Sequence, residues 1–315
     1  MNAVVNNPVR TFANTASETA TDVRISVLIP FYKDDPRPLI EALDRINAGE
    51  PDLEILLHDD GEPDADLNAQ IAAALSDIAS PGRLLTSLRN RGRAAGRNLL
   101  AEQARGRWLL YLDADMLPGD ANFLERYRTL IAEERCDAAF GGYETLWPDA
   151  PELQLHAALS RVSDQNDAAS RNAIGPSAFC ASNVLVRAGV MRAIRYDEGF
   201  AGWGWEDVDW AVRAARGYKL VHVDNPAGHA GLQNAETLLE KFRDGAVNYR
   251  RLLDKHRELG RLPGARVARI LRRIPGQSAL RGLWAMLTRQ ARLPMKLRTT
   301  ALKLWRASWT AEALQ

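Results

Sequence analysis

Short apolar runs alternate with segments of helical spacing along the first half of the chain. The apolar runs, predicted as strands, cover residues 25–29, 53–57, 84–88 and 108–112. Between them, apolar residues recur at helical spacing over about 39–46, 66–78 and 93–105. Strands that alternate with helices of roughly 10–15 residues predict an α/β fold with a parallel, doubly wound sheet.

Beyond residue 118 the alternation is less regular. The elements predicted for this part are strands near 136–142 and 219–223, a short strand followed by a helix over 183–195, and helices over 206–216 and 234–259. The whole chain is 46% apolar and 26% charged, which is ordinary for a globular protein and allows it to bury a sizeable core.

The composition divides the chain into three parts. Residues 1–22 are polar and small, which predicts a disordered lead-in. A main domain follows over 23–260, with one half over 23–118 and the other over 119–260. A tail covers 261–315.

Charge is distributed unevenly along the chain although the formal net charge is only +1. The tail carries twelve Arg and Lys residues and one acid, Glu312, for a net charge of +11, so the remainder carries −10. Such a basic segment suggests a partner of its own.

Cysteine use and hydropathy set expectations for the compartment. Cys136 and Cys180 match no metal-ligand spacing, and two cysteines do not indicate a disulfide framework. We find no secretory signal pattern and no run of the ~18 apolar residues that a spanning helix needs. We therefore expect a cytoplasmic protein that meets a membrane at its surface.

The acids of Asp113-Ala114-Asp115 directly follow a predicted strand. Strand alternation puts the two carboxylates on one side of the chain, roughly 7 Å apart. Mg²⁺ and Mn²⁺ take such oxygen ligands together with substrate phosphates. A polar turn that ends the strand is the alternative interpretation.

A second candidate site lies in Gly202-Trp203-Gly204-Trp205-Glu206-Asp207, which is followed by Trp210. Interleaved tryptophans and glycines are typical of a platform on which a sugar ring stacks. Glu206 and Asp207 open a predicted helix, where either acid could cap exposed N–H groups. Alternatively, one of them is a general base.

Five sequence blocks within residues 24–230 resemble the inverting family 2 glycosyltransferases, which have the GT-A fold. The blocks, in order, are Ile25-Ser26-Val27-Leu28-Ile29-Pro30-Phe31-Tyr32, Asp59-Asp60-Gly61, Asn90-Arg91-Gly92 with Ala95-Gly96-Arg97-Asn98, Asp113-Ala114-Asp115, and Tyr196-Asp197-Glu198-Gly199-Phe200 followed by Gly202 to Asp207. The chain looks particularly like the branch related to chondroitin polymerase, the polypeptide N-acetylgalactosaminyltransferases and the β-1,4-galactosyltransferases. Glu62 replaces the usual serine, and Trp205 stands where glycine is frequent.

The resemblance implies a role for each block. The nucleotide of the donor, with UDP favoured, would be bound by Pro30, Tyr32, Asp59, Asp60, Asn90, Arg97 and Asp113. A metal, Mn²⁺ or Mg²⁺, would be bound by Asp115 and His229, with Asp113 at the ribose or at the metal's water. Asp207 would be the base and Glu206 would help to hold the acceptor. The acceptor site would be lined by Trp203, Gly204, Trp205 and Asn183, with Asp164 and Asn166 as further candidates. Strand-end capping is the alternative role for Asn183.

The expected function is an inverting transfer of a sugar from a nucleotide-diphosphate donor to a glycan or glycolipid, in cell-surface polysaccharide synthesis. One alternative is a catalytically silent partner that binds nucleotide sugars. A nucleotidyltransferase is the other, but Pro30-Phe31-Tyr32-Lys33 offers no Gly-rich phosphate loop.

The tail has the pattern of two basic amphipathic helices. Leu280, Leu283, Trp284, Leu287 and Ala291 share one helical face, and Met295, Leu302, Trp305 and Trp309 form the next. Such helices are typical of binding to an anionic membrane surface. Alternatively, they pack on the main domain with the basic side in water. The tail has no recognisable nucleic-acid module, so we expect no nucleic acid partner.

Overall fold

The structure is a computed structural model that describes residues 9–163 and 165–314. Its first part contains strands β1 (Arg10–Ala13), β2 (Ile25–Phe31), β3 (Leu53–Asp59), β4 (Gly82–Thr86), β5 (Trp108–Leu112) and β6 (Met116–Pro118), and helices α1 (Thr15–Thr19), α2 (Arg37–Asn47), α3 (Ala65–Asp77), α4 (Arg93–Gln103) and α5 (Phe123–Ala132). Its second part contains strands β7 (Ala138–Phe140), β8 (Tyr143–Thr145), β9 (Asn183–Arg187), β10 (Leu220–His222) and β11 (Ala227–His229). The helices of that part are α6 (Gln154–Ser163), α7 (Ala168–Ile174), α8 (Ala188–Ala193), α9 (Glu206–Ala214), α10 (Ala235–Lys255), α11 (Pro263–Leu271), α12 (Gln277–Arg289) and α13 (Met295–Ala313).

Within the described residues, the main sheet has eight strands in the order β1-β4-β3-β2-β5-β9-β7-β10. The strands from β4 to β5 are parallel, and β9 joins the sheet antiparallel to both β5 and β7. A smaller sheet has the order β6-β11-β8. The predicted α/β class is confirmed, with a mostly parallel central sheet flanked by helices.

Apolar side chains are buried on both faces of the main sheet, because successive residues of a strand point to opposite sides. In β2, Val27 and Ile29 belong to one cluster of buried residues and Leu28 belongs to the other. Burial on both faces explains why these strands read as continuous apolar runs in the sequence. The four strands predicted in the first half are confirmed, with shifts of at most two residues at their ends.

The prediction of a disordered lead-in over residues 1–22 is wrong for the residues that are described. β1 pairs antiparallel with β4, and the buried Asn14 fixes the chain behind it. Asn14 Nδ2 donates to the carbonyls of Leu75 and Ser80 at 2.8 and 3.0 Å, and Asn14 Oδ1 accepts from Gly82 N at 2.9 Å. Pairing with the edge of the sheet and the hydrogen bonds of the buried Asn14 therefore order this segment, although its composition resembles that of a disordered one. Residues 1–8 lie outside the described residues.

The tail folds into α11, α12 and α13, and α13 packs on α10 and α6. Leu302 is fully buried together with Leu239 and Phe242 of α10. Trp305 Nε1 donates to the Leu239 carbonyl at 2.9 Å. Most of the apolar face expected to meet a membrane is therefore buried in the protein, which confirms the alternative that these helices pack on the main domain. None of the helices within the described residues combines the length and apolar character needed to cross a bilayer.

Candidate active site

Three adjacent parallel strands bring acidic residues to one edge of the main sheet. β2 lies between β3 and β5, and its last residue, Phe31, pairs with Asp59 at the end of β3. Asp113 and Asp115 follow β5 at the same edge. In sheets of this type, ligands bind in the crevice beyond the carboxyl ends of the strands.

Asp59 and Asp60 build the turn after β3. The two carboxylate oxygens of Asp60 accept hydrogen bonds from the backbone N–H groups of Arg91 and Gly92, at 2.8 and 2.9 Å. Asp59 accepts one from the N–H of Glu62 at 2.5 Å. Burial raises the pKa of both carboxyls, and these N–H donors oppose the rise. The predicted aspartate pair thus joins two loops into one wall of the crevice.

The same wall depends on a glycine and leaves an aromatic ring exposed. Gly61 has a φ of +81°, and a Cβ there would lie 2.5 Å from the backbone nitrogen of Asn90, so only glycine permits this contact. In the same loop, Asn90 Oδ1 accepts a hydrogen bond from the N–H of Gly92 at 3.1 Å. Pro30 is half-buried inside β2, and Tyr32 is exposed just beyond the strand, where Lys33 Nζ lies 5.2 Å from the centre of its ring.

Arg97 connects the two halves of the crevice from a buried position on α4. Its Nη2 donates to Asp113 Oδ1 at 2.8 Å, and its Nη1 donates to Glu206 Oε1 at 2.7 Å. Burial alone would lower the pKa of Arg97, but the charges of the two carboxylates outweigh it and hold the pKa above its ordinary value. Arg97 is therefore a permanent cation between the residues after β5 and the start of α9.

Asp115 and His229 face each other across the small sheet. β6 and β11 pair so that His229 lies opposite Met116, and Asp115 Oδ2 lies 3.4 Å from His229 Nε2. The N–H of Ala230 donates to the Asp115 carbonyl at 2.9 Å. A Cβ at Gly231 would lie 1.8 Å from Asp115 Oδ2, so the loop after β11 closes directly over this carboxylate.

Asp115 and His229 would suit a divalent metal whose remaining ligands come from a bound substrate and water. Among the described residues, no cluster of three or more His, Cys, Asp and Glu side chains is arranged to hold a metal by protein ligands alone. A carboxylate with an imidazole nevertheless matches Mn²⁺, which in such sites is also coordinated by substrate phosphates and water. The adjacent Asp113 is held by Arg97; burial would raise its pKa, but Arg97 and Arg93 hold the pKa below its ordinary value.

Glu206 and Asp207 begin α9 on the other side of the crevice. Glu206 is directed to Arg97 and does not cap the helix. Asp207 Oδ1 accepts from Val208 N at 2.8 Å, and its Oδ2 accepts from Ala181 N at 3.3 Å. Burial and the charge of Glu206 raise the pKa of Asp207 to about 6, against the opposing charge of Arg97. Asp207 thus has the basicity that proton transfer near neutral pH requires.

The loop before α9 is held from behind by α10 and α13. Trp205 has a φ of +78°, which is costly for a residue other than glycine, and its ring lies 4.4 Å from that of Tyr249. The guanidinium of Arg306 lies 5.0 Å from the same ring. Trp203 packs on α10, where a Cβ at Gly245 would come within 3.0 Å of its ring. Both tryptophans are half-buried, so only their outer parts remain for a sugar.

Two residues predicted for the acceptor site, Asn183 and Trp210, are buried inside the protein. Asn183 is fully buried: its amide donates to the carbonyls of Gly142 and Asn225, both at 2.8 Å, and it accepts from Tyr127 Oη at 2.7 Å. It supports the strands from inside and does not line the crevice, because its hydrogen bonds are already made there. Trp210, counted with the sugar platform, is also core. Asp164 lies outside the described residues.

The crevice contains charged residues that the sequence patterns did not reveal. Lys241 of α10 interacts electrostatically with Asp34 and Asp115, and Arg93 of α4 interacts with Asp34 and Asp113. Lys241 is half-buried and has no hydrogen bond or ion pair with any residue that the structure describes. The residues three before and four after it, Leu238 and Gly245, are buried, and a lysine on the buried stripe of a helix is the one signal that could have identified it.

His156 of α6 supports the loop beside the metal candidates. Its Nδ1 accepts from Gln233 N at 3.0 Å, and its ring lies 5.6 Å from that of His229. Burial and the charges of His229 and Lys241 lower the pKa of His156 to about 4. A neutral ring that accepts at Nδ1 carries its proton on Nε2, so His156 is a hydrogen-bond donor and not a metal ligand.

Comparison with known proteins finds similarity to glycosyltransferases in sequence and in fold. Residues 26–166 match the family model described as Glycosyl transferase family 2. Over 233 residues the chain is 25% identical to Glycosyltransferase AglE of Haloferax volcanii, a match that covers 72% of this chain and 73% of that protein.

Solved structures with the same fold are similar over most of the chain. Mannosyltransferase PcManGT from Pyrobaculum calidifontis, in complex with GDP-Man and Mn²⁺, has a TM-score of 0.55 at 18% identity, covering 91% of this chain and 86% of that one. TarS 1–349 of S. aureus, in complex with UDP-GlcNAc, has a TM-score of 0.51 at 15% identity, covering 93% and 90%. At these identities the likeness establishes the fold, which is GT-A.

Proposed function

Because residues 26–166 match the family model described as Glycosyl transferase family 2, we propose that the protein is a metal-dependent, inverting glycosyltransferase. It transfers a sugar from a nucleotide-diphosphate donor to a hydroxyl of a glycan or glycolipid. It acts at the inner face of the cytoplasmic membrane, in the synthesis of cell-surface polysaccharide.

The contact of Arg97 with Asp113 and Glu206 is the observation that carries this proposal. One buried guanidinium joins an acid beside the expected donor to an acid beside the expected acceptor, over 2.8 and 2.7 Å. Asp207, with its raised pKa, adjoins Glu206. This arrangement suits a reaction in which donor and acceptor meet between the carboxyl ends of the strands and the start of α9.

The donor is a nucleotide sugar, with UDP favoured. Similar proteins of this fold were solved with UDP-GlcNAc and with GDP-Man, which supports the class of donor and leaves the base open. We propose that the turn of Asp59 and Asp60, with the exposed ring of Tyr32, receives the nucleotide. Asp113, fixed by Arg97, contacts the ribose.

Asp115 and His229 would hold a Mn²⁺ or Mg²⁺ ion together with the donor phosphates. Such an ion, when bound, neutralises negative charge on the departing diphosphate. Lys241 and Arg93 add positive charge to the same side of the crevice. His156 keeps the loop after His229 in position through Gln233.

Transfer is a single displacement in which Asp207 takes a proton. The acceptor hydroxyl oxygen bonds to the anomeric carbon while the bond from that carbon to the diphosphate oxygen breaks. The hydroxyl proton passes to Asp207, and the bonding electrons leave with the diphosphate. Attack opposite the leaving group converts an α-linked donor into a β-linked product, while Glu206 and the outer parts of Trp203 and Trp205 hold the acceptor.

Nucleotide release from a panel of UDP, GDP and dTDP sugars, with and without Mn²⁺, tests this function. We expect metal-dependent release from one donor class and, with a suitable acceptor, a β-linked product by NMR. Asp115→Asn should abolish the increase in nucleotide affinity that Mn²⁺ gives in calorimetry. Full activity in excess EDTA, or an α-linked product, would contradict the proposal.

The same assays separate the two alternative functions. A catalytically silent partner would bind a nucleotide sugar in calorimetry and release no nucleotide from any donor. A nucleotidyltransferase would instead form pyrophosphate from a nucleoside triphosphate and a sugar phosphate. Intact carboxylates at Asp113, Asp115 and Asp207 favour the transferase over the silent partner.

A further inference from the structure

The outer sides of α11 and α12 expose large apolar residues. On α11 and the turn after it, Val267, Ile270 and Ile274 follow at helical spacing, and Ile270 is 62% exposed. On α12, Leu283 and Met286 share one face, and Met286 is 56% exposed. We name these five residues and the basic residues between them the outer face.

This face differs from the one that the sequence pattern suggests. The tryptophan-bearing side of α12 is buried, because Trp284 packs in a cluster with Ala268 and Leu271 of α11 and Ala301 of α13. The residues on the opposite sides of α11 and α12 consequently point away from the protein. The outer face is held on a folded three-helix layer and needs no unfolding to be presented.

Unpaired positive charge surrounds the exposed apolar residues. Arg266, Arg272 and Arg273 are exposed and form no ion pair with any described residue, and the same holds for Arg292 and Lys296. The one acid of the tail, Glu312, is already paired with Arg281.

We propose that the outer face docks the protein on an anionic lipid bilayer. Exposed Ile, Leu and Met amid unpaired arginines match a surface that enters the boundary between headgroups and acyl chains. A polyanion such as nucleic acid would satisfy the arginines but would leave the apolar side chains in water. This inference rests on the proposed function, because it supplies the membrane on which a glycolipid acceptor is found.

The fold connects this face to the acceptor side of the crevice. α13, on which α11 and α12 pack, carries Arg306, whose guanidinium lies 5.0 Å from the ring of Trp205. The layer that presents the outer face is therefore the layer that supports the loop before α9.

Flotation of the full chain with vesicles tests this proposal. We expect recovery with phosphatidylglycerol-containing vesicles, little recovery with pure phosphatidylcholine, and loss of binding at high salt. Ile270→Glu with Met286→Glu should abolish recovery. Arg272→Gln with Arg273→Gln should weaken partitioning about fivefold per charge removed.

Ile174→Glu is the matched control, because Ile174 is an exposed isoleucine on α7 in the main domain. It should float like the unmodified chain, and all variants should keep the circular dichroism and melting temperature of the native protein. Unchanged recovery of the Ile270→Glu/Met286→Glu variant, or equal binding to neutral vesicles, would overturn the proposal. So would binding to duplex DNA without any binding to vesicles.

Calorimetry with UDP and GDP in solution separates this inference from the proposed function. The outer-face variants should bind nucleotide like the native chain. Vesicle binding without any nucleotide binding would contradict the proposed function alone. Nucleotide binding and turnover without vesicle binding would contradict only the docking surface.

Discussion

Single residues of the crevice have roles that depend on which partner each charge has. Glu206 and Asp207 are neighbours in sequence, yet Glu206 forms an ion pair with Arg97, whereas Asp207 accepts hydrogen bonds only from backbone N–H groups. Among the described residues, Asp207 has no ion-pair partner of its own, and its pKa is raised by burial and by the charge of Glu206. Of the two acids, Asp207 is the one whose proton affinity suits a base.

Asp207→Asn should lower turnover by roughly 100-fold or more, because base catalysis by a positioned group contributes about 10²–10⁴-fold. Asparagine can still accept from Val208 N, so stability and nucleotide affinity should change little. The pH profile gives a second measurement. With a pKa of about 6, Asp207 is protonated and inactive at lower pH, so kcat/KM should rise with pH and reach half its plateau near pH 6.

Glu206→Gln provides the control for this assignment. Removing the Glu206 charge, which raises the Asp207 pKa, should shift the acidic limb of the profile to lower pH while the limb itself remains. In Asp207→Asn the limb should vanish. A limb that is unchanged in Asp207→Asn would show that another group titrates.

Lys241 gives a second prediction at the residue scale. Lys241→Met keeps the aliphatic chain and removes the charge, so kcat/KM for the donor should fall about tenfold or more, since hydrogen bonds to charged groups contribute ~1.5–3 kcal/mol. Lys219→Met, at an exposed lysine before β10, is the matched control and should be neutral. Equal donor kinetics in the two variants would show that Lys241 does not bind the donor phosphates.

Residue types in local blocks predicted part of the site. Short motifs pointed to Asp113, Asp115 and Asp207, which the structure places around the crevice, because strand ends and helix starts are local features. They could not identify Lys241, which lies far along the chain on a helix, and they misassigned Asn183, whose partners Tyr127 and Asn225 come from distant segments. Side chains are assigned correctly from sequence when their neighbours in space are also their neighbours in the chain.

At the scale of elements, hydrophobic periodicity was informative wherever a strand is buried on both faces. It failed for β1, a polar strand at the edge, and for the tail helices, whose apolar side has the same pattern whether it meets lipid or protein. Packing against α10 decides between these outcomes, and α10 lies outside the tail. Tertiary contacts therefore decide whether the tail helices pack on the main domain.

Asn14 should be essential to the first element of the sheet. Asn14→Ala removes buried hydrogen bonds to Leu75, Ser80 and Gly82, and it should cost about 1–3 kcal/mol of unfolding free energy for the groups left unsatisfied. Denaturant unfolding measures this. Asn122→Ala is the control, because Asn122 is exposed and makes no side-chain cap, so its loss should stay within about 0.5 kcal/mol. Equal effects of the two substitutions would refute the role of Asn14.

At the scale of the whole molecule, the tail and the main domain share a core. A chain that ends at residue 260 would expose Leu238, Leu239 and Phe242, each worth about 1.5–3 kcal/mol of burial. We expect this truncation to be insoluble or to melt far below the full chain in calorimetry. Leu302→Ala gives a graded version in the full chain, with an expected loss of about 2–5 kcal/mol, because Leu302 is fully buried. A 1–260 chain with native stability would show that the tail is a separate unit.

The two edges of the main sheet also affect how readily separate molecules of this protein aggregate. β1 has four residues and β10 three, so each outermost strand offers few unpaired backbone groups to a strand from another chain. Edge-to-edge pairing between sheets is the usual start of β-aggregation, and short edges leave it little to build on. We therefore expect molecules of this protein to resist pairing between sheet edges when they are concentrated on a surface.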